Sequence, residues 1–350
     1  MNAASKDVLF TIAKDLDLPS LLRWCQSNSK IKKQVCHNPD IWRIRLMNDY
    51  PEGYPDYQIF NLNRSLRETY VFLYQLSYIK KLLRSEGSLY DIFLKEVINL
   101  SGKGLKKVPA FDLPNLKYLN LYNNKLTELP TFHLPNLLEL FLGDNELTTI
   151  TLKLPNLQVL DLSRNELTEI SFELPNLQKL DLSANNFKNL PALDLPNLKE
   201  LQFIYAQLTS VPKFNTPKLV KLKLSYNKLS QVPDFDFPNL EELSLNNNEL
   251  TSLPNFNLPN LRDLNISNNH LKSLPSFNFP NLIRFFASGN ELTTIPNFNF
   301  PNISVIDVMQ NNLSEEEKQK IQTKYSKLTD NYRKKYGDSR LNSLQQPVNV

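Results

Sequence analysis

Glycine, histidine and cysteine are scarce in this chain of 350 residues, which has seven, three and two of them. So few glycines leave little material for loops that cradle phosphate groups. The scattered histidines His37, His133 and His270 stand in no C-x-x-C or H-E-x-x-H context, which argues against a metal site. Ser101-Gly102-Lys103-Gly104 lacks the P-loop spacing. The composition therefore predicts a protein that is not an enzyme and holds no cofactor.

Long apolar runs and a strong charge of one sign are also missing. No run of about 18 apolar residues is present, so no membrane span is predicted. The formal net charge of +4 is too small to indicate nucleic-acid binding. The N-terminus lacks the order of a signal peptide and the repeats described below lack cysteine, so we expect a reducing, cytoplasmic compartment. Cys25 lies on an apolar helical face and is expected to be a buried core residue.

Proline, by contrast, is plentiful and recurs within a repeated tetrapeptide, Leu-Pro-Asn-Leu or a close variant, spaced by 20 or 21 residues. The tetrapeptides begin at Leu113, Leu134, Leu154, Leu174, Leu195, Thr216, Phe237, Leu258, Phe279 and Phe300. The full unit reads LPNLxxLxLxxNxLTxLPxFx, and its core LxxLxLxxNxL resembles the leucine-rich repeat. The resemblance covers residues 95–313.

The alternating leucines of each unit predict a short strand with one buried face. The return segment carries two prolines in most units, so it is expected to be extended or a single turn rather than a helix. The predicted strand centres are Ile98, Leu119, Leu140, Leu160, Leu180, Leu201, Leu222, Leu243, Leu264, Phe285 and Ile306. We predict an α/β solenoid of about eleven short parallel strands, preceded by an all-α N-terminal domain and capped by a C-terminal helix.

An asparagine recurs after each strand and is predicted to point inward, where its amide must find hydrogen-bond partners in neighbouring coils. The row comprises Asn124, Asn145, Asn165, Asn185, Asn227, Asn248, Asn269, Asn290 and Asn311. Two coils depart from it. Lys103 takes the position in the first coil, as suits a capping repeat, and Ala206 takes it further along, where we expect a local defect or a bound water.

Capping boxes predict the helices on either side of the repeats. Ser65 with Glu68 opens a helix that runs to about Glu86 and stops at Gly87, and Ser88 opens another. Ser314 with Glu317 opens a C-terminal helix that stops at Gly337. The apolar face of that helix comprises Ile321, Tyr325, Leu328, Tyr332 and Tyr336. The predicted segments are 1–50, 51–94 (linker and N-terminal cap), 95–313 (repeats), 314–337 (C-terminal cap) and 338–350 (disordered tail).

Residues 1–50 resemble the F-box, a short helical domain. The matching residues are Asp7, Val8, Leu9, Ile12, Leu16, Ser20, Leu21, Leu22 and Trp42. The segment that runs from Trp42 through Leu46 to Asp49-Tyr50-Pro51 is similar to F-box-like domains of large DNA viruses. The family docks a Skp-type adaptor of a cullin ubiquitin ligase, and its attached repeats select the substrate.

The resemblance implies an adaptor-binding surface formed by Val8, Leu9, Ile12, Leu18, Pro19, Leu21 and Leu22. The alternative is a helical bundle that only caps the solenoid, in a plain interaction scaffold with no link to ubiquitin. The repeats also resemble those of bacterial effector proteins with the same doubled Leu-Pro. Some of those effectors carry a C-terminal ubiquitin-ligase domain with a catalytic cysteine, which we do not expect here because residues 314–350 contain no cysteine.

Aromatic side chains at outward strand positions suggest where a target protein binds, since binding hot spots favour such residues. The outward side of the strands is predicted to be the concave face of the solenoid. The candidate contact residues are Tyr118, Tyr122, Phe141, Asp161, Asp181, Ile204, Tyr205, Lys223 and Tyr226. The two aspartates suggest a basic group on the partner. The predicted function is that of a non-catalytic substrate-recognition adaptor with an unknown protein target.

Overall fold

The computed structural model of the chain describes residues 9, 12–13, 16–27, 31–51, 64–187, 192–211, 214–298, 300–321 and 323. Predictions for Val8, Tyr325, Leu328, Tyr332, Tyr336, Gly337 and the tail lie outside these residues. The chain divides into two compact units. The first comprises 1–100, 108–118 and 130–136, and the second comprises 101–107, 119–129 and 137–350.

The first unit is mainly helical. Its helices are α1 (Leu18–Ser27), a π-helical turn (Lys32–Cys36), α2 (Pro39–Asp49), α3 (Leu66–Leu83) and α4 (Leu89–Phe93). Leu18-Pro19-Ser20 opens α1 because Asp17 accepts a hydrogen bond from the Ser20 amide at 2.7 Å, and proline is tolerated in a first helical turn.

The predicted capping box of Ser65 with Glu68 is confirmed, and the helix predicted to start at Ser88 begins with a second capping box, Ser88 with Asp91. The predicted end of α3 at Gly87 is wrong. The helix ends at Leu83, and Arg84 adopts a left-handed conformation with φ 52°. The Arg84 N–H still donates to the carbonyl of Lys81, so a residue other than glycine closes the helix.

Arg45 on α2 is a buried cation at the centre of the first unit. Its Nη1 donates to the carbonyl oxygens of Ala13 and Leu16 at 2.9 and 2.6 Å, and its Nη2 donates to Tyr70 Oη at 2.8 Å. Tyr70 in turn donates to Asp49. Burial and that bond to Asp49 raise the pKa of Tyr70 well above its usual range. Arg45 therefore ties α2 to α3 and to the segment before α1.

Replacement of Arg45 by alanine should lower the free energy of unfolding of the first unit by about 2 kcal/mol, since it leaves buried carbonyl oxygens without donors. Arg43→Ala on the same helix is the matched control, because Arg43 is exposed and forms a surface ion pair with Asp40. Urea unfolding of both variants, followed by far-UV circular dichroism, measures the difference. Equal losses would show that the buried network does not hold this unit together.

Cys25 and Cys36 are both buried and form a disulfide, with their Cα atoms 6.0 Å apart. The burial of Cys25 confirms the sequence prediction, whereas the pairing was not predicted. It arises because the π-helical turn folds back against α1.

All eleven predicted repeat strands are present, each three residues long and centred on the predicted residue. They are β1 (Val97–Asn99), β2 (Tyr118–Asn120), β3 (Glu139–Phe141), β5 (Val159–Asp161), β7 (Lys179–Asp181), β9 (Glu200–Gln202), β11 (Lys221–Lys223), β12 (Glu242–Ser244), β13 (Asp263–Asn265), β14 (Arg284–Phe286) and β15 (Val305–Asp307). From β3 onward each strand pairs in parallel with the next. The central residues, such as Leu140 and Leu160, stand in register and are buried.

The return segments are extended, as predicted. Two of them form the five-residue parallel strands β4 (Thr149–Lys153) and β6 (Glu169–Glu173), and two others form the short pair β8 (Leu193–Asp194) and β10 (Phe214–Asn215). The strands β4 and β6 belong to coils 134–153 and 154–173, which are 20 residues long. Their return segments lack the first of the two prolines that most return segments carry. Without that proline the backbone keeps its N–H donors and can form a longer ladder.

The inward asparagines form the predicted ladder through the core of the second unit. Asn248 is representative and buried. Its Oδ1 accepts the Leu229 N–H at 3.2 Å, while its Nδ2 donates to the carbonyls of Leu224 and Leu245, both at 2.9 Å. Each such amide therefore joins its own coil to the preceding one.

Ala206 interrupts this asparagine ladder only toward the preceding coil. The N–H groups of Ala206 and Leu208 donate to Asn227 Oδ1 at 3.0 and 3.1 Å, so the ladder continues toward the C-terminus. In the preceding coil, the Phe187 N–H has no acceptor among the residues that the structure describes. Phe187 and Phe203 are fully buried and contact each other with ring centroids 6.3 Å apart. Their rings occupy positions where most coils carry leucine, and they compensate for the small side chain of Ala206.

A second asparagine ladder, which was not predicted from the sequence, runs along the outside of the coils. In seven of the Pro-Asn motifs, the asparagine donates its Nδ2 to the carbonyl of the motif proline one coil earlier; these are Asn136, Asn176, Asn197, Asn239, Asn260, Asn281 and Asn302. For example, Asn260 donates to Pro238 at 2.8 Å and Asn281 donates to Pro259 at 3.0 Å. A Pro-Asn pair therefore bonds to both neighbouring coils. Its asparagine donates to the preceding coil, and its proline carbonyl accepts from the following coil.

The C-terminal helix begins as predicted. The Glu317 N–H donates to Ser314 Oγ at 3.2 Å, and the helix covers 315–321. Within the described part of the chain, no helix combines the length and apolar character that crossing a bilayer requires.

Candidate protein-binding surface

The outward side chains of the repeat strands form one continuous surface, called the sheet face below. In a strand such as Glu139–Phe141 the central leucine is buried and its two neighbours are partly exposed. The residue two positions after the strand, such as Tyr122 in the preceding coil, points to the same side. The sheet face therefore shows three outward residues per coil.

Tyr122 lies on a glycine in the adjacent coil. A Cβ added to Gly143 would stand 3.1 Å from Tyr122 Cδ2, 3.1 Å from Asp161 Oδ2 and 3.0 Å from Ser163 Oγ. The φ of Gly143 is not in the left-handed region, so the close approach of these three side chains is what excludes a larger residue here. Tyr122 nevertheless remains 38% exposed. The sheet face thus presents an aromatic ring fixed beside a carboxylate.

Asp161 and Asp181 stand directly beside each other on β5 and β7. Asp161 Oδ1 accepts hydrogen bonds from Ser163 N and Oγ at 2.9 and 2.6 Å, and Asp181 Oδ1 accepts one from Ser183 N at 2.9 Å. Among the described residues, neither carboxylate forms an ion pair. Ion pairs elsewhere on this face join Lys179 and Lys221 to Glu200, Lys223 to Glu242, and Arg284 to Asp263.

Substitution of Asp181 by asparagine is expected to stabilise the protein at pH 7. Burial, with a further contribution from Asp161, raises the pKa of Asp181 above its ordinary value of 3.8. An acid with a raised folded-state pKa destabilises the fold when it is charged, and this penalty disappears as the pH falls through that pKa. Asp181→Asn should therefore raise Tm at pH 7 by on the order of 1 °C, and the gain should shrink toward pH 4.

Thermal unfolding of Asp181→Asn at both pH values tests this, with Asp236→Asn, an exposed residue of a return segment, as the control. A lower Tm than wild type at pH 7 would contradict the assignment of a stability penalty to Asp181.

Exposed Tyr205 and half-buried Tyr226 form an aromatic pair further along the same surface. Their ring centroids are 4.3 Å apart with an interplanar angle of 25°. Both residues have φ 57°, a left-handed conformation that bulky side chains rarely adopt. Ile204 is half-buried beside them, and Lys223 lies 3.5 Å from Glu242. The same turn position has a positive φ in each coil from Asn123 to Gln310, so the two tyrosines occupy a backbone conformation that belongs to the repeat.

The structure brings most of the predicted target-binding residues to one surface of the second unit. The residues at outward positions are Tyr122, Phe141, Asp161, Asp181, Ile204 and Lys223, with Tyr205 and Tyr226 at the adjoining turns. Tyr118 is half-buried and belongs to the first unit. Gly143 was not among the predicted residues, although a single glycine in an outward row with six serines was a readable signal.

The predicted adaptor-binding residues are divided between core and surface. Leu9, Leu18 and Leu21 are buried in the first unit. Ile12 is 42% exposed, Pro19 is exposed and Leu22 is half-buried. Because α1 must cover the core of its own unit, only part of its apolar face remains accessible to a partner.

Within the described ranges, no group of three or more histidine, cysteine, aspartate or glutamate side chains gathers in a way that could hold a metal ion. The sheet face instead displays aromatic rings, which are enriched in protein–protein interfaces, beside carboxylates and small hydroxyl groups.

Known proteins with the same repeats and fold exist. A family model described as leucine-rich repeats, two copies, matches residues 114–154, 155–195 and 238–278. The chain is similar to the leucine-rich effector protein YopM from Yersinia pestis, with 28% identity, a TM-score of 0.56, and 75% of this chain and 71% of that chain covered. A search of curated proteins finds no match.

Two further structures share the fold at lower identity. One is a chain of the octameric complex of latrophilin 3, Unc5D and FLRT2, in which FLRT2 supplies leucine-rich repeats. The sequence identity is 24% and the TM-score is 0.55, and the match covers 63% of this chain and 75% of that chain. The other is the leucine-rich repeat domain of APL1B, with 22% identity, a TM-score of 0.51, and coverage of 64% and 79%. By its repeat pattern, its strand register and these likenesses, the chain carries leucine-rich repeats folded as a parallel-strand solenoid.

Proposed function

We propose that this protein is a non-catalytic interaction scaffold whose sheet face binds a target protein. The observation that carries the proposal is the display of aromatic side chains on a rigid surface, above all Tyr122 at 38% exposure beside Phe141. Aromatic residues with little conformational freedom supply most of the binding energy in many interfaces. The likeness to a leucine-rich effector protein supports the same class of function.

Site-specific photocrosslinking tests this proposal even while the target is unidentified. A benzoylphenylalanine placed at Phe141 keeps an aromatic ring on the sheet face. The control position is Thr151, which is exposed in the return segment of the same coil. We expect one predominant protein adduct from position 141 and none of the same mass from position 151. Equal labelling from both positions would contradict a target-binding role for the sheet face.

A second candidate function, that of an adaptor for a ubiquitin ligase, is supported by a separate observation in the first unit. The F-box resemblance requires accessible apolar side chains at the N-terminus. Ile12 at 42% exposure, exposed Pro19 and half-buried Leu22 meet part of that requirement. In this proposal the helical unit docks a Skp-type adaptor inside a cell, and the target of the sheet face becomes the substrate. The alternative is a scaffold or effector whose helices only cover the end of the repeats.

The double substitution Ile12→Asp/Leu22→Asp is expected to weaken binding of a purified Skp-type adaptor at least tenfold, because it places charge in an apolar contact. Met47→Asp is the control, since Met47 is 53% exposed in the same unit but is not among the residues that the resemblance assigns to the adaptor-binding surface. Analytical gel filtration of the full chain with the adaptor measures complex formation. If the wild-type chain does not co-elute with the adaptor, this candidate function fails and the plain scaffold remains.

A further inference from the structure

Asp161 and Asp181, which form no ion pair among the described residues, indicate what the partner carries. Resting on the proposed function of the sheet face, we propose that its target binds through an extended segment with an arginine placed between Asp161 and Asp181 and against the Tyr122 ring. An apolar residue of the same segment then packs on Ile204 and the Tyr205–Tyr226 pair.

The first argument is the missing countercharge. Like charges directly opposite each other on neighbouring strands are destabilising. Lys179, Lys221, Lys223 and Arg284 pair with acids on the same sheet face, yet none of them forms an ion pair with Asp161 or Asp181 among the described residues. The charge of Lys223 acts on Asp181 from a distance, but its direct contact is with Glu242. A cation brought by a partner would remove a repulsion that the free protein retains.

The second argument is the orientation of the carboxylates. Each Oδ1 is held by the serine two residues later, at Ser163 and at Ser183. Adjacent strands are about 4.8 Å apart, so the two carboxylates are spaced to be bridged by one planar guanidinium. An ammonium group lacks that fork geometry and would satisfy one carboxylate at a time. The spacing therefore favours arginine over lysine.

The third argument is the aromatic platform. Tyr122 is held against Gly143, and Asp161 Oδ2 approaches the same glycine. A guanidinium that bonds Asp161 can stack on the exposed face of this ring and gain a cation–π contact. The glycine fixes ring and carboxylate in one arrangement, which lowers the ordering cost of binding.

The distance along the sheet sets the sequence spacing of the partner. Ile204 follows β9, the strand next to β7, and Tyr226 follows β11. From the midpoint of the aspartates these side chains are about 7 to 12 Å away at 4.8 Å per strand. An extended chain covers that distance in about two to four residues. The expected motif is an arginine with an apolar residue two to four positions away.

A library of random twelve-residue peptides displayed on phage, selected on the immobilised full-length chain, tests this inference. Selected peptides are then synthesised with arginine or with its neutral analogue citrulline. Binding is compared for wild type, Asp161→Asn/Asp181→Asn and the control Asp234→Asn/Asp236→Asn, which removes two exposed charges from a return segment. Thermal unfolding shows that each variant is folded.

We expect arginine to be enriched with an apolar residue at the stated spacing. The citrulline peptide should bind wild type at least tenfold more weakly, and this difference should disappear in Asp161→Asn/Asp181→Asn but persist in the control. Peptides that need Tyr122 and Phe141 yet gain nothing from arginine would overturn the inference and leave the proposed function standing. If no selected peptide depends on the sheet face for binding, both the inference and the proposed function are overturned.

Discussion

Replacement of Asn248 by alanine is expected to lower the free energy of unfolding by about 3 kcal/mol. Asn248 is buried, and its amide accepts from Leu229 while donating to Leu224 and Leu245 in two different coils. Alanine removes all of these bonds, leaves buried backbone groups unpaired and opens a cavity. The effect should spread beyond one coil, because each repeat is stabilised mainly by its neighbours.

Asn260→Ala is the matched control for this prediction. Asn260 is exposed and makes one hydrogen bond, to the Pro238 carbonyl at 2.8 Å, which water can replace. We expect a loss of about 1 kcal/mol or less. Urea unfolding monitored by circular dichroism compares the two variants. Similar losses would show that the inner ladder contributes no more than the outer one and would refute this account of the core.

The double substitution Tyr122→Ala/Phe141→Ala should weaken target binding at least 100-fold, because two aromatic hot spots are removed from one contact. The Tm should change by less than about 3 °C, since both side chains lie outside the leucine core. Isothermal titration calorimetry with the target identified by crosslinking measures the binding.

Phe172→Ala is the control for this double variant. Phe172 is a half-buried aromatic residue of β6, in a return segment rather than on the sheet face. We expect its affinity for the target to equal that of wild type. Unchanged binding by the double variant, or an equal loss in the Phe172 variant, would remove the aromatic residues of the sheet face from the interface.

The repeat architecture was predictable because the same pattern of leucine and asparagine recurs in almost every coil. The leucines around Leu140 or Leu222 alternate with period two, and the following asparagine needs buried partners, so every coil repeats the same solution. Ala206 was recognisable as a defect for the same reason. The capping boxes at Ser65 and Ser88 were readable because they depend on side chains three residues apart.

Features that depend on contacts distant in sequence were not predictable. The Cys25–Cys36 disulfide depends on how the π-helical turn meets α1, which the spacing does not encode. The outer asparagine ladder depends on a proline carbonyl one coil away. The role of Gly143 arises because Tyr122 and Asp161 converge on it from adjacent coils. Each of these is a tertiary contact whose partners the sequence does not identify.

Hydroxyl-radical footprinting of the full chain, free and bound to its target, tests the central claim that the sheet face is the binding surface. The account predicts that oxidation of Tyr122, Phe141, Tyr205 and Tyr226 falls severalfold on binding, while that of Phe172 in the return strand stays unchanged. Protection of Phe172 with undiminished oxidation of the four sheet-face residues would contradict it.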